Sequence, residues 1–419
     1  MSNTKQIVEA ILQSARAAAV PLANASTAVK NKALRSAAEA LMDNQRAIEI
    51  ANADDLEAGR KAGLSAAMLD RLMLNEGRIA ELAQSLEDVS KLPDPVGRTV
   101  RSWTRPNGLK VSLKRIPLGV IVMIFESRPN VTTDAAGLCL KSGNVVVLRG
   151  GKEALQSNLA LAAAVSQGIE SAGLPREAVQ VLPIRDRAAV KLLVQADGLV
   201  DLVIPRGGEG LIRRVVAEAH VPVLKHYKGV CHVYLHADAK VGDSRRIVLN
   251  SKVQRPGVCN AAETLLVHAK AAKRVLPSLA AALREAGVEL RGCKRTRELA
   301  PFAKRAKADD YGREFLDLVL AVKVVDSLDE AIDHIRQYSS DHTEAIITND
   351  AQAAERFLNE VCSSTVLHNA STRFADGGQL GLGAEIGIST SRLHAYGPMG
   401  LEALTIPRFV VRGQGQIRG

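Results

Sequence analysis

Cys259 is the side chain whose neighbours most favour covalent chemistry. It follows Pro256 and Gly257, a pair that predicts a turn on a loop directly after a helix. Arg255 and Lys252 lie close in sequence, and nearby cations favour the thiolate, which is the nucleophilic form of cysteine. Many cysteines are simply small, buried apolar residues. The local sequence therefore leaves two interpretations of Cys259 open, a nucleophile and a core residue.

The other four cysteines lack such surroundings. Cys139 falls in an apolar predicted helix and Cys231 in an apolar predicted strand, while Cys293 and Cys362 have no supporting neighbours. The cysteines are odd in number, none forms a C-x-x-C pair, and the first residues lack the basic and apolar regions of a signal peptide. We therefore expect reduced thiols and a cytoplasmic location.

Two turns could bind the phosphates of a nucleotide. Gly207 and Gly208 stand between a predicted strand and a predicted helix, where backbone N–H groups and the helix dipole attract anions. Their spacing departs from the usual dinucleotide fingerprint, so an ordinary turn explains them equally well. Arg149 and Lys152 follow another predicted strand. They could bind a ribose 2′-phosphate and so select NADP over NAD, or they could belong to a solvated loop.

Two further pairs carry chemistry of other kinds. Asn130 offers an amide donor and Arg128 a planar cation just after a predicted strand, where ligands bind in parallel sheets, although a plain Pro-Asn turn is the alternative. His232 and His236 are four residues apart and would share one face of a strand. Because no third ligand is evident, we predict no metal site there.

Length and composition bound the class of protein. A chain of 419 residues is too long for one hydrophobic core, so we expect two sizeable domains. No apolar run approaches the length of a membrane span. The net charge of +10 could suggest a nucleic-acid-binding protein. However, the basic residues are spread over the whole chain, which favours a solvated surface that helps anionic ligands approach.

The periodicity of apolar residues predicts an α/β protein. Residues 1 to about 95 have helical spacing, Val100–Ile116 forms a predicted hairpin, and short apolar strands alternate with helices from Gly119 onward. A second α/β region begins near Gly229, and Ala403–Val411 is a predicted strand. Strands and helices that alternate in this way indicate mostly parallel sheets covered on both faces.

Segments spread along the chain, taken together, resemble the aldehyde dehydrogenase superfamily, and within it the enzymes that reduce gamma-glutamyl phosphate in proline synthesis. These segments begin at Glu126, Leu140, Ile204, Pro256, Asp341 and His368, and the resemblance extends from about residue 5 to 411. It implies an oxidoreductase of the aldehyde dehydrogenase fold. The implied reaction is the NADPH-dependent reduction of L-glutamyl 5-phosphate to L-glutamate 5-semialdehyde and phosphate.

The resemblance also implies a role for each matching position. Cys259 takes the place of the catalytic nucleophile, and Asn130 that of the amide which forms an oxyanion hole with the backbone N–H of the cysteine. The implied cofactor-binding positions are Gly207 and Gly208 near the pyrophosphate, Arg149 and Lys152 in the adenosine-ribose region, and Glu314 at the nicotinamide ribose.

Three arginines and the absence of a water-activating glutamate bear on how the substrate is expected to bind and react. Arg128, Arg255 and Arg373 are candidates for the phosphate or the substrate α-carboxylate, because guanidinium binds both, and the three stay unranked. Hydrolytic aldehyde dehydrogenases carry a glutamate that activates water, and its place falls here on Lys225 or His226. We therefore expect a thioester that exchanges with phosphate, with His226 near the substrate. A hydrolytic dehydrogenase and an inactive relative are the competing interpretations.

The resemblance further suggests a domain plan and partners. Residues 1–98 and 118–228 would form the cofactor-binding domain, 229–382 the catalytic domain, and 99–117 with 383–419 an oligomerisation hairpin and C-terminal strand. We expect a homodimer or a higher homo-oligomer, since such edge strands are rarely left exposed. The kinase that makes glutamyl 5-phosphate is a candidate channelling partner, and neither nucleic acid nor a membrane is expected.

Overall fold

The computed structural model describes residues 3–418 and divides them into two compact units. The first comprises the chain up to Lys225, residues 382–387, and the chain from Met399 onward. The second comprises His226–Gly381 and Ile388–Pro398. The hairpin and the last strand belong to the first unit.

Among the described residues five helices come first, and after the hairpin strands and helices alternate, as the apolar pattern predicts. The helices are α1 (Asn3–Ala23), α2 (Thr27–Asp43), α3 (Gln45–Lys61), α4 (Ala66–Leu72), α5 (Glu76–Lys91), α6 (Asn130–Lys141), α7 (Leu155–Ser171), α8 (Ala188–Val194), α9 (Glu209–Glu218), α10 (Val241–Val253), α11 (Ala269–Glu285), α12 (Lys294–Leu299), α13 (Leu328–Tyr338) and α14 (Ala351–Glu360). The strands are β1 (Thr99–Thr104), β2 (Lys110–Pro117), β3 (Val120–Phe125), β4 (Val145–Arg149), β5 (Val179–Val181), β6 (Leu202–Arg206), β7 (Cys231–Leu235), β8 (Ala262–His268), β9 (Glu289–Gly292), β10 (Lys304–Arg305), β11 (Val319–Val325), β12 (Thr343–Ile347), β13 (Thr365–His368), β14 (Ile388–Ser389), β15 (Gly397–Pro398) and β16 (Thr405–Arg412).

The sheet of the first unit is parallel, in the order β5-β4-β3-β6. Every residue of β3 and β4 is buried, and helices α1, α6, α7 and α8 pack on the strands. Because the strands are parallel, the loops that follow β3, β4 and β6 leave the sheet at one edge, the carboxyl edge.

The sheet of the second unit is also parallel, in the order β10-β9-β11-β8-β7-β12-β13. Side chains of β7 and β8 alternate between two apolar clusters, one shared with α10 and α11 and the other with α13 and α14. The sheet is therefore covered on both faces, and the predicted α/β fold is confirmed. The loops that enter β11, β8, β7 and β12 lie at the amino edge of four adjacent strands.

The predicted hairpin joins β1 to β2, and β16 pairs with the other side of β2. This three-stranded antiparallel sheet has β1 and β16 at its edges. It exposes large apolar side chains, among them Phe409 at 65% and Val411 at 54%, and Trp103 contacts Phe409 edge-on. In the part of the chain that the structure describes, no helix is both long and apolar enough to cross a membrane.

We expect Gly168→Ala to destabilise the first unit. Gly168 lies in α7 where that helix crosses α2, and an added Cβ would stand 2.3 Å from the backbone nitrogen of Ala37. Overpacking of this kind typically costs about 1–3 kcal/mol. Thermal unfolding should show a lower Tm, whereas Gly77→Ala, on an exposed turn of α5 with only an ordinary contact at 3.7 Å, should not lower it. Equal Tm values for the two variants would contradict the close packing of α2 on α7.

Candidate active site

The Cys259 loop enters β8 at the amino edge of the second sheet. Residues 254–261 connect α10 to β8, and Cys259 lies half-buried in a turn of this loop. The predicted position after a Pro-Gly turn is therefore confirmed. Lys252 does not serve the thiolate as the sequence suggested, because its ammonium is fully buried against Glu263, with Nζ 2.6 Å from Oε2.

Two residues at the start of β7 fix the backbone of Cys259. A Cβ on Gly229 would stand 1.9 Å from the carbonyl oxygen of Cys259, so only glycine fits there. The thiol of Cys231 donates to the same oxygen at 3.2 Å. Burial raises the pKa of Cys231 far above its ordinary value, which keeps it a donor thiol. The sequence indicated only an apolar role for Cys231 and missed this contact.

Asn260, the neighbour of Cys259, attaches the loop to the segment that carries Arg373. Its amide donates to the carbonyl of Ala375 at 2.9 Å and its oxygen accepts from the Arg373 guanidinium. The Nε–H of Arg373 donates to Gln254 at 2.8 Å. Arg373 is thus a half-buried cation held beside the cysteine, and burial lowers its pKa from the ordinary value.

The three candidate arginines fall in different places. Arg255 is exposed on the Cys259 loop, and Arg373 lies against that loop in the same unit. Arg128 belongs to the first unit, where it is exposed after β3. Of the two candidates in the second unit, Arg373 is the one that hydrogen bonds to Gln254 and Asn260 hold against the Cys259 loop.

Glu314 contacts the backbone of Gly229, the residue that packs against Cys259. Its Oε1 accepts the N–H of Gly229 at 2.8 Å, and the adjacent Lys228 ammonium donates to the carbonyl of Gly312 at 2.7 Å. The segment around Glu314 is thus joined to the chain that packs under Cys259. Its role toward a nicotinamide ribose stays a prediction.

His226 belongs to the second unit. Its Nδ1–H donates to the carbonyl of Ile388 at 3.0 Å. Its ring meets His342 edge-on, with 5.8 Å between the centroids. Burial first, and then the charge of His226, lower the pKa of His342 to about 3, so that His342 is neutral near pH 7.

The carboxyl edge of the first sheet gathers three loops. Gly208 caps the amino end of α9, and its N–H donates to Glu126 Oε2 at 3.0 Å. A Cβ on Gly207 would lie 2.4 Å from that carboxylate. Glu153 accepts from the backbone and hydroxyl of Ser127 at 2.9 and 2.5 Å. Loop, glycine turn and helix start are therefore assembled at one place, although the sequence did not identify Glu126 or Glu153.

This edge has features of an anion-binding site, and its assignment to the phosphates of a dinucleotide stays a prediction. The glycine turn lies at the amino end of α9, where no side chain caps the helix. The N–H of Gly208 donates to an anionic group, the carboxylate of Glu126. Lys152 is exposed after β4. Arg149, by contrast, is buried, and its guanidinium donates to the carbonyls of Gly150 and Arg185. Of the two predicted 2′-phosphate ligands, Lys152 is the one whose charge is accessible.

Asn130 begins α6, and its amide Nδ2 donates to Asp134 Oδ2 at 3.0 Å. Because a carboxylate accepts only from the amide nitrogen, this contact sets the orientation of the Asn130 side chain. The preceding Ser127 has φ +43°, a left-handed conformation that is strained for serine and is common at functional turns. The oxyanion role of Asn130 stays a prediction.

The two histidines on β7 have partners of their own. His232 Nδ1 lies 2.9 Å from Glu344 Oε2, and both side chains are fully buried. His236 Nδ1 lies 3.0 Å from the hydroxyl of Tyr234. Their rings therefore belong to local contacts within the second unit.

Comparison with known proteins places this geometry in a family. The model of the aldehyde dehydrogenase family matches residues 1–317. The chain belongs to the aldehyde dehydrogenase family. A gamma-glutamyl phosphate reductase from Geobacter metallireducens is 56% identical over 411 residues, which cover 98% of each chain. The relative from Moorella thermoacetica that bears the same name is 55% identical and covers 97% of each.

Solved structures of the family agree with the fold. The crystal structure of gamma-glutamyl phosphate reductase from Thermotoga maritima is 45% identical, covers 98% of this chain and 100% of its own, and has a TM-score of 0.97. An acetylating aldehyde dehydrogenase from Geobacillus thermoglucosidasius is 17% identical with a TM-score of 0.68, and so shares the fold.

We expect iodoacetamide to react faster with Cys259 than with Cys362, although Cys362 is the more exposed thiol. The reason is that Arg373 lies beside the Cys259 loop and favours the thiolate.

Cys259→Ala should lower turnover by more than roughly 10⁴-fold, as loss of a nucleophile does. Cys139→Ala, at a fully buried position, should lower stability and leave turnover largely intact. Mass spectrometry of the alkylated protein and a turnover assay measure both effects, and faster labelling of Cys362 would argue against an activated Cys259.

Proposed function

We propose that this protein reduces L-glutamyl 5-phosphate to L-glutamate 5-semialdehyde with NADPH, releasing phosphate, through a thioester on Cys259. The observation that carries the proposal is the Cys259 loop, which is fixed by Gly229 and Cys231 and flanked by Arg373. It occurs in a chain 56% identical to a relative named gamma-glutamyl phosphate reductase.

The covalent step belongs to Cys259. Its thiolate attacks the acyl carbon, the bond from that carbon to the phosphate oxygen breaks, and phosphate leaves with the electron pair. Arg373 is held by Asn260 and Gln254 and offers a fixed guanidinium to an anionic group of the substrate. Arg255, exposed on the same loop, is the second candidate for that role.

Asn130 is the proposed side-chain donor to the oxyanion that forms during the attack, together with the backbone N–H of Cys259. The contact with Asp134 turns the amide so that its nitrogen, the donor atom, has a defined direction. A preorganised donor of this kind is typically worth roughly 3 kcal/mol in the transition state.

The proposed cofactor-binding residues are the Gly207-Gly208 turn for the pyrophosphate, Lys152 for the adenosine ribose phosphate, and Glu314 for the nicotinamide ribose. The guanidinium of Arg149 is taken up by the carbonyls of Gly150 and Arg185 and is not assigned to the phosphate. When bound, NADPH supplies the hydride that takes the acyl group to the aldehyde level. The chain's own contribution is to hold the reacting carbon on Cys259 and to place charge around it.

The fate of the thioester depends on its surroundings. Fast hydrolysis needs a general base, normally a carboxylate, and the corresponding place in this chain falls on Lys225 or His226. Neither residue carries a carboxylate; lysine is a cation that attracts phosphate, and Nδ1 of His226 is bound to the carbonyl of Ile388. We therefore favour exchange with phosphate over hydrolysis, and we disfavour a hydrolytic dehydrogenase as the alternative.

The proposal extends to assembly and location. The three-stranded sheet with exposed Phe409 and Val411 fits a contact with a second copy of the chain, so we propose a homodimer or a higher homo-oligomer. We further propose that the protein acts in the cytoplasm. There, the kinase that makes the labile acyl phosphate would be its channelling partner.

We expect oxidation of glutamate 5-semialdehyde to depend on phosphate. NADPH formation over many turnovers should be about 10²-fold slower in phosphate-free buffer, the smallest factor usually attributed to a general base. His226→Glu should raise the phosphate-free rate by restoring a carboxylate, and the neutral His226→Gln should not. Equal wild-type rates with and without phosphate would identify a hydrolytic dehydrogenase.

We expect Lys152 to favour NADPH over NADH. Lys152→Met should lower kcat/KM for NADPH roughly 10-fold, the factor for one hydrogen bond to a charged group, and leave that for NADH unchanged. Lys191→Met, at an exposed lysine of α8 in the same unit, is the control. A wild-type enzyme that uses both cofactors equally well would remove the basis for this assignment.

We expect light scattering to show an oligomer at micromolar concentration. Phe409→Glu should shift the protein toward the monomer, because it places a charge in the exposed apolar patch of the three-stranded sheet. Val20→Glu changes a side chain of similar exposure, 67%, on α1 and should have no such effect. A wild-type monomer would contradict the proposed assembly.

A further inference from the structure

The proposed chemistry gives no role to the buried pair of Lys252 and Glu263 in the second unit. Lys252 lies in the last turn of α10 and Glu263 in β8, and both side chains are fully buried. The loop that carries Cys259 runs between them, so the contact at 2.6 Å joins the two ends of that loop.

The second oxygen of Glu263 reaches another segment. Oε1 accepts the backbone N–H of Leu316 at 3.1 Å, and Leu316 has φ +54°, a conformation that an L side chain rarely adopts. Leu316 is two residues beyond Glu314, whose carboxylate accepts the N–H of Gly229. Gly229 in turn packs against the carbonyl of Cys259. The contacts thus form a closed ring from Glu263 through Leu316, Glu314 and Gly229 to the nucleophile.

Stability alone is a poor reason for this arrangement. Two buried charges lose their hydration, and apolar residues of the same volume often stabilise a fold at least as well as a buried ion pair. Burial dominates at both partners, since it lowers the pKa of Lys252 and raises that of Glu263 to about 7. What an apolar pair cannot provide is an oxygen that accepts the Leu316 N–H.

We propose that Glu263 is a positioning residue of the reaction, which ties the Cys259 loop to the segment of Glu314 through the Leu316 N–H. It touches neither the substrate nor the cofactor. It fixes the distance between the part of the chain that carries the nucleophile and the part assigned to the nicotinamide ribose. The inference rests on the proposed function for those two roles.

Two double variants isolate the tether. Lys252→Met with Glu263→Gln removes both charges and keeps an amide oxygen for the Leu316 N–H. Lys252→Met with Glu263→Leu removes the charges and the acceptor together. Asp55→Asn, at a buried carboxylate that holds the start of α7 in the first unit, controls for the loss of a buried acid. The measurements are Tm, the rate of Cys259 alkylation by iodoacetamide, and kcat and KM for NADP⁺ with glutamate 5-semialdehyde and phosphate.

The double variant with Glu263→Gln should keep kcat and the rate of Cys259 alkylation within a few-fold of the wild type. The double variant with Glu263→Leu should fold, but its kcat should fall about 10²-fold, which is the effect of a misplacement near 1 Å. Its Cys259 should also be alkylated at a rate different from that of the wild type. Equal kcat and equal alkylation rates in the two double variants would overturn the proposal, and so would a Glu263→Leu double variant that does not fold, since the role would then be structural. If the wild type itself lacks the reductase activity, the proposed function fails, while the alkylation comparison still tests the tether.

Discussion

A close backbone contact between Gly229 and Cys259 leaves no room for a side chain and fixes the cysteine loop of the second unit. The Cα of Gly229 lies against the carbonyl of Cys259, and any Cβ there would overlap that oxygen. The contact requires β7 and β8 to be neighbours, as they are in the parallel sheet. It also brings the thiol of Cys231 onto the same carbonyl. The orientation of the cysteine loop therefore follows from the packing of two strand entries and does not depend on the loop sequence alone.

This contact places Cys259, the proposed nucleophile, at the amino edge of a parallel sheet, where ligands bind less commonly. Ligands of open parallel sheets commonly bind beyond the carboxyl ends of the strands. In the first unit the glycine turn and Lys152, the proposed cofactor contacts, lie at that edge. In the second unit Cys259 and Glu314 precede their strands, at the amino edge. The proposed phosphate contacts therefore lie at the carboxyl edge of one sheet, and the proposed nucleophile lies at the amino edge of the other.

Much of the fold could be predicted from the sequence because it depends on local apolar periodicity. The strands β3, β4 and β7 and the helices α7 and α10 fall where the pattern places them, and Cys259 lies on the expected loop. The partner of Lys252 could not be predicted, because its side chain points into the core and a buried carboxylate neutralises it. Arg149 differs from expectation for a related reason. The direction of a side chain at a strand end depends on which carbonyls the following loop presents.

The three-stranded sheet has a consequence for the order in which the molecule can form. Strand β2 ends at Pro117, yet its partner β16 begins at Thr405, and the whole second unit lies between them in the chain. During synthesis β2 can pair with β1 at once, but its other side must wait until the ribosome has produced everything in between. For that interval the nascent chain presents an open strand that a neighbouring chain could occupy. Chaperone demand and swapped pairing during overexpression would therefore arise at this sheet.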